Sequence, residues 1–388
     1  MPRKSNTRAA QGSGTIRKKT VTRKGQPYTY WEARVTVGRD PGTGKQIQRS
    51  FSGKTQKEVR EKMQAAAVAV NEGTYMEPSK MTLGQWLDVW AKDYLGSVKP
   101  FTVRAYSDQI KNHIKPALGA VKLDALNTHT IQSFYNSLGV GQNGKPGLSP
   151  KTVKNIHGVL HKALQQAVAI GYIRFNPADS CTLPRTTKKE LAPLDEEQSK
   201  AFLQTIQGQR YETLFTVTLF TGLREGEALG LTWDCVDFSK GTILVSKQLQ
   251  REKKKNGAYI FAPLKNDKAR TITPAPWVLQ VLRTHRAKQA EQRLRAGPLW
   301  EDSGFVFTNE LGRHMAIHTV YKDFKKAVAA IGRPDARFHD LRHSYAVAAI
   351  RAGDDIKTVQ GNLGHATAAF TLDVYGHVTD QMKQASAA

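Results

Sequence analysis

The chain has 388 residues, room for two or three domains and at least one sizeable core, so a single small module is excluded. Its 58 Lys and Arg against 33 Asp and Glu leave a net charge of +25, a surplus that requires a polyanionic partner, nucleic acid before an anionic membrane. No stretch approaches the roughly 20 apolar residues of a spanning helix, and the basic residues 1–10 lead into no apolar signal core, so a cytoplasmic protein without membrane contact is expected.

The charge is concentrated at the start: residues 1–60 carry fifteen Lys or Arg against three acids. Within them residues 15–20, 29–37 and 46–51 read as three short strands, separated by turn-forming stretches at 23–27 and 40–44. Alternation sorts the second strand into an apolar face (Trp31, Ala33, Val35, Val37) and a wet one (Tyr30, Glu32, Arg34, Thr36). A helix from about Lys54 follows, with Val59, Met63, Ala66 and Val70 on the stripe that covers the apolar face. The outer face, with Arg17, Lys18, Lys19 and Arg34, is a candidate DNA reader, because a major groove admits a β-ribbon.

From Thr82 the pattern is helical. Thr82 caps a helix carrying Leu83, Trp86, Leu87, Trp90 and Tyr94, and further helices are expected at 102–114, 130–138 and 149–170. The last opens on Ser149-Pro150 and offers Lys151, Lys154 and His157 opposite its apolar side, a second candidate DNA-contacting surface. Asn176-Pro177 ends this helical domain, and a basic linker occupies the stretch 178–193. Cys181 and Cys235 are too few for a disulfide framework or a zinc finger and are read as small buried hydrophobes.

The remainder, 194–388, mixes helices with strands at 242–249, 258–264 and 270–273. Here several residues mean little singly and much together. Arg224 follows a glycine turn in Thr221-Gly-Leu-Arg-Glu-Gly-Glu227; Lys265 and Lys268 sit in a turn between two candidate strands; His339 and Arg342 lie three apart, on one helical face; and Leu363-Gly-His365 precedes Tyr375 by ten residues. Two Arg, one or two Lys, two His and a Tyr suit phosphoryl transfer without metal. Guanidinium forks grip non-bridging oxygens, His and Lys move protons, and the phenol is a nucleophile.

In these residues the sequence resembles the tyrosine recombinase (phage integrase) family. The family's Arg box matches residues 221–231, its hairpin lysine Lys265 with Lys268 as a second candidate, its His-x-x-Arg box His339 to Arg342, its Leu-Gly-His box the segment ending at His365, and its nucleophile Tyr375. The resemblance implies that Arg224 and Arg342 clamp the scissile phosphate, Lys265 protonates the leaving 5′ oxygen, His339 and His365 handle protons and phosphate contacts, and Glu227 supports the site. It implies a multidomain, mainly α protein with small β-sheets. Residues 1–75 would be an arm-type domain of three strands plus a helix, 80–177 a helical, SAM-like core-binding domain, and 194–388 a mixed α/β catalytic domain. It further implies an integrase of a phage or conjugative transposon, working as a homotetramer on core and arm attachment sites through a 3′-phosphotyrosyl intermediate, with no metal or cofactor. An excisionase or a host DNA-bending protein would be an additional partner.

Three other readings compete. A type IB topoisomerase uses the same chemistry but reseals the same strand. A metal-dependent transposase needs a carboxylate set that the sequence does not offer. A non-enzymatic DNA-binding regulator leaves the ordered appearance of Arg224, Lys265, His339, Arg342, His365 and Tyr375 to coincidence.

Overall fold

The computed structural model describes residues 14–375 apart from 24, 40–41, 73–74, 76–79, 142–145, 188–190 and 252–258. The chain divides into two compact units, Met1–Thr187 and Lys188–Ala388, with the boundary inside the expected linker.

The first unit opens with an antiparallel sheet in the order β1 (Thr15–Arg23), β2 (Gln26–Arg39), β3 (Gln46–Gly53), backed by α1 (Gln56–Asn71). Thr55 caps α1 by accepting from the Glu58 amide. Ala33 and Val35 on β2 meet Val59 and Ala66 on α1, and all four are buried. β1 and β2 run longer than their sequence patterns suggest, because Pro27, expected to break the chain, pairs with Thr22 inside the ribbon. Pairing of β2 with β3 begins only at Trp31, so β2 has a free edge at Pro27 and the missing N–H costs no ladder bond there.

The helices that follow are α2 (Leu83–Asp93), α3 (Pro100–Gln109), α4 (Lys115–Leu118), α5 (Thr128–Gly139) and α6 (Pro150–Ala169). A π-helical turn, Ile110–Ile114, joins α3 to α4 where one continuous helix was expected. Thr82 and Gln85 form a reciprocal capping box at the start of α2. Trp86 and Trp90 of α2 are buried among Ile156, Leu160 and Leu164 of α6, and the Trp86 indole donates to the Ala163 carbonyl at 2.9 Å. No helix among the described residues is long and apolar enough to cross a membrane.

The second unit contains α7 (Glu196–Ile206), α8 (Glu212–Thr221), α9 (Glu225–Leu229), strands β4 (Val236–Asp237), β5 (Thr242–Val245), β6 (Lys247–Arg251), β7 (Tyr259–Pro263) and β8 (Arg270–Ile272), then α10 (Pro276–Ala296), α11 (Ile317–Ala330), α12 (Phe338–Arg351) and α13 (Ile356–Leu363). Phe202, Phe215, Phe324 and Phe338 lock α7, α8, α11 and α12 into one core through edge-on and tilted ring contacts.

The single strand expected at 242–249 is two strands in different sheets. β5 pairs with β4 and β8, whereas β6 pairs with β7. The turn holding Lys265 and Lys268 therefore crosses from one sheet to another instead of closing a simple hairpin. Cys235 is buried and Cys181 half-buried, both as free thiols.

Candidate active site

α12 is the backbone of the site. Phe338, Leu341, Val347 and Ile350 bury its inner face, and its capping residue Arg337 is itself tied to Asp340 by a backbone bond of 2.8 Å. That packing leaves Arg342 almost fully buried, at 1% exposure, where its guanidinium donates to the Gly222 carbonyl at 2.7 Å and the Leu363 carbonyl at 2.6 Å.

Both carbonyls belong to helix C-termini, where the unsatisfied backbone acceptors and the helix dipole favour a cation. α8 ends at Gly222 and α13 at Gly364, each in the left-handed conformation, φ 64° and 62°. At Gly222 a Cβ would also sit 2.5 Å from the Tyr345 ring. Glycine is required there on both grounds.

Arg224, at the start of α9, donates to Glu227 Oε1 at 2.7 Å and to the Gly364 carbonyl at 3.2 Å. Arg270, on β8, donates to Glu227 Oε2 at 2.6 Å and Oε1 at 3.1 Å, and its Nε reaches the Asn362 carbonyl at 2.8 Å. Two of the three guanidiniums thus share one carboxylate, and the three together take four helix-terminal carbonyls. Glu227 is buried, which by itself would raise its pKa, but the bonds and charge of Arg270, joined by Arg224, outweigh burial and hold it at about 2. Arg342 feels burial first and Arg224 second, and its pKa falls to about 9. One anion against three cations leaves positive charge that a phosphodiester can neutralise.

The aromatic side of the site is built on Tyr375, in the helical segment 368–375 and only 1% exposed. Its hydroxyl lies 2.7 Å from His343 Nδ1. Burial pushes the phenol up to about 12, against the pull of Arg342. His365 lies parallel to the Tyr375 ring at 6.4 Å, and Thr371 fixes its Nδ1 at 2.9 Å. His339 meets His343 edge-on at 4.9 Å. Burial, then the neighbouring cations, lower the pKa of His343 to about 4 and of His365 to about 3, so both rings are neutral at pH 7. His339 shifts in the same direction.

Lys265 and Lys268 are both exposed and line one cleft of about 290 Å³ with Arg224, Arg270 and His365. The structure therefore brings Arg224, Lys265 and His365 to one cleft, ties Glu227 to Arg224, stacks His365 on Tyr375, and links Tyr375 to His339 through His343, the neighbour of Arg342 on α12. Two members went unrecognised in the sequence. Arg270 was read only as a strand residue, although alternation puts it on the inward face with Ile272, opposite Val245. His343 stands four residues after His339, the spacing of one helical face. Among the described residues no cluster of three or more His, Cys, Asp or Glu side chains could hold a metal ion.

The expected DNA-contacting residues fall into three situations. Arg17, Lys19 and Arg34 converge on Glu32 at 2.8, 3.0 and 3.5 Å, so the supposedly wet face of β2 holds a buried carboxylate under three cations. Arg17 and then Lys19 hold that carboxyl below its usual range. Lys18 pairs with Trp31 and so stands on the opposite face of the sheet. On α6, Lys151 is exposed and Lys154 lies 3.4 Å from Thr186 Oγ1. His157 is no surface cation: its Nδ1 bonds the buried Tyr135 hydroxyl at 3.1 Å, and burial lowers its pKa.

Residues 193–382 match the model of the phage integrase family, and residues 82–139 that of the phage integrase N-terminal SAM-like domain. The chain is 32% identical over 372 residues to the tyrosine recombinase XerC-like protein of Caldanaerobacter subterraneus subsp. tengcongensis, covering 91% of this chain and 94% of that one. Among solved structures it is similar to the Tn1549 transposon integrase in complex with circular intermediate DNA, at 25% identity and TM-score 0.66, covering 80% of this chain and 100% of the other. It shares the fold of the lambda integrase tetramer bound to a Holliday junction, at 20% identity and TM-score 0.55, covering 90% of this chain and 96% of the other.

Proposed function

The chain belongs to the phage integrase family of tyrosine recombinases, and on that premise we propose that it integrates and excises a phage or conjugative transposon by cutting and rejoining DNA at attachment sites. The observation that carries this reading is the burial of the Tyr375 hydroxyl beside α12, which also bears Arg342, in a cation-rich array with Glu227 as the counter-charge to three guanidiniums.

In the reaction Arg224 and Arg342 hold the non-bridging oxygens of the scissile phosphate, and Arg270 keeps Glu227 and Arg224 in register. The Tyr375 oxygen attacks phosphorus, the bond to the 5′ oxygen breaks, and Lys265, which lines the same cleft as Arg224, protonates that oxygen. A 3′-phosphotyrosyl bond stores the energy of the broken phosphodiester, so a 5′ hydroxyl of the partner DNA can reverse the step without ATP. His339 and His365 line the phosphate and carry protons.

Residues 1–75 serve as an arm-binding domain through Arg17, Lys19 and Arg34, and residues 80–177 as the core-binding domain through Lys151 and Lys154. Four copies assemble on paired core sites in the host cytoplasm, with an excisionase or a DNA-bending protein setting the direction. The test is to mix two duplexes carrying the direct repeats that flank the element. Joined products containing both parents support the integrase reading; relaxation of supercoils with no exchange would return it to the topoisomerase alternative.

A further inference from the structure

We infer that His343, the residue after the phosphate-gripping Arg342, is the base that takes the proton from Tyr375 as its oxygen attacks phosphorus. This rests on the function proposed above and adds a residue to its chemistry.

Tyr375 is 1% exposed, so bulk water does not solvate its hydroxyl, and a buried hydroxyl proton requires an acceptor. His343 Nδ1, at 2.7 Å, is in that position. The two other imidazoles of the site are placed differently. His365 presents its ring parallel to the tyrosine ring, with an interplanar angle of 13°, and its Nδ1 is engaged by Thr371. His339 touches the edge of His343 and stands one helical turn before it on α12.

At pH 7 the His343 imidazole is in the neutral form that an acceptor requires. Asp340, Arg342 and Arg337 are the charged groups facing His343; burial, Arg342 and Arg337 together outweigh Asp340 and keep the imidazole neutral. In the Nε2–H tautomer the Nδ1 lone pair is directed at the phenol. With the phenol near 12, about one molecule in 10⁵ would carry a free phenolate at pH 7, so the attack must hand its proton over as it proceeds. Arg342 and His343 are adjacent on one packed helix, so the clamp and the base are held in fixed relation.

The step balances. The O–H bond of Tyr375 breaks and its proton forms an N–H bond at Nδ1, while the new bond from the tyrosine oxygen to phosphorus displaces the 5′ oxygen, which takes a proton from the Lys265 ammonium. Rejoining runs in reverse: the 5′ hydroxyl gives its proton to the Lys265 amine, and the departing phenolate regains one from the His343 imidazolium.

The deciding variant is His343→Asn in the full chain, because its amide oxygen falls near the Nδ1 position and retains the hydrogen bond without acting as a base. On a nicked suicide duplex carrying the element junction, covalent adduct formation is expected to slow by roughly 10²- to 10⁴-fold with DNA binding unchanged. A 5′-bridging phosphorothiolate, whose leaving thiolate needs no proton, is expected to restore Lys265→Ala and leave His343→Asn slow. Adduct formation by His343→Asn within about twofold of wild type, or its restoration by the sulfur substrate, overturns the assignment. Should the asparagine protein fail to bind DNA, His343→Ala decides: recovery of cleavage with free imidazole supports the base role, and none refutes it. Wild-type protein that forms no adduct would instead refute the underlying recombinase reading.

Discussion

Arg270 holds Glu227 through both carboxylate oxygens, at 2.6 and 3.1 Å, and the side chains are 10% and 1% exposed. A buried carboxylate losing one of its cations is left with an uncompensated charge. Arg270→Ala is therefore expected to lower unfolding free energy by about 3–5 kcal/mol. Equilibrium denaturation in urea measures this; a loss below about 1 kcal/mol would mean that Arg224 alone suffices for Glu227.

Arg224 reaches a carboxylate and a backbone carbonyl at once, and a bound phosphate would add a two-pronged contact. Lysine supplies the charge without the fork. Arg224→Lys is expected to slow cleavage far more than it weakens binding, by at least tenfold in their ratio, equivalent to about 1.4 kcal/mol of selective transition-state stabilisation. Equal losses in the two assays would remove Arg224 from the clamp.

Three histidines of the site, His339, His343 and His365, tie stability to pH, all by the same sign. His343 and His365 ionise near 4 and 3 in the folded chain, below their unfolded value of about 6.5. Above pH 6.5 neither state holds the extra protons and stability is complete. As pH falls from 6.5 toward 4 the unfolded chain binds protons that the folded chain refuses, and each ring removes up to about 1.4 kcal/mol per pH unit. Melting temperature in the absence of DNA is expected to drop through that window, and less so in His365→Asn; a flat profile would contradict the neutral assignment.

Arg17 and Lys19 stand over Glu32 on the free face of the N-terminal sheet. If they meet phosphates, replacing both with alanine should flatten the salt dependence of arm-site binding by about 2 in log K against log salt. Cleavage of a core-only duplex should be unchanged. An unaltered salt slope would show that this face does not contact the backbone.

Much of the candidate site was legible in the order of its motifs along the chain: Arg224, Glu227, His339, Arg342, His365 and Tyr375 all fall in one array. What was not legible depends on tertiary structure. Thr242 to Leu249 carries unbroken strand propensity, with no glycine or proline to mark Ser246, where the chain leaves one sheet for another. Arg270 has the pattern of an ordinary strand residue until the α9 glutamate it bonds, Glu227, is seen. The turn that the sequence marks with Lys265 and Lys268 does reach the cleft, and both lysines line it. His157 looked like surface charge because helical periodicity does not reveal the Tyr135 hydroxyl that engages it.

The most direct measurement is covalent capture on a nicked suicide duplex, followed by peptide mapping of the protein–DNA adduct. Wild-type protein is expected to carry the nucleotide on Tyr375, and Tyr375→Phe to bind the duplex with unchanged affinity while yielding no adduct that survives detergent. An adduct formed by the phenylalanine protein, or mapped to another residue, would contradict the account.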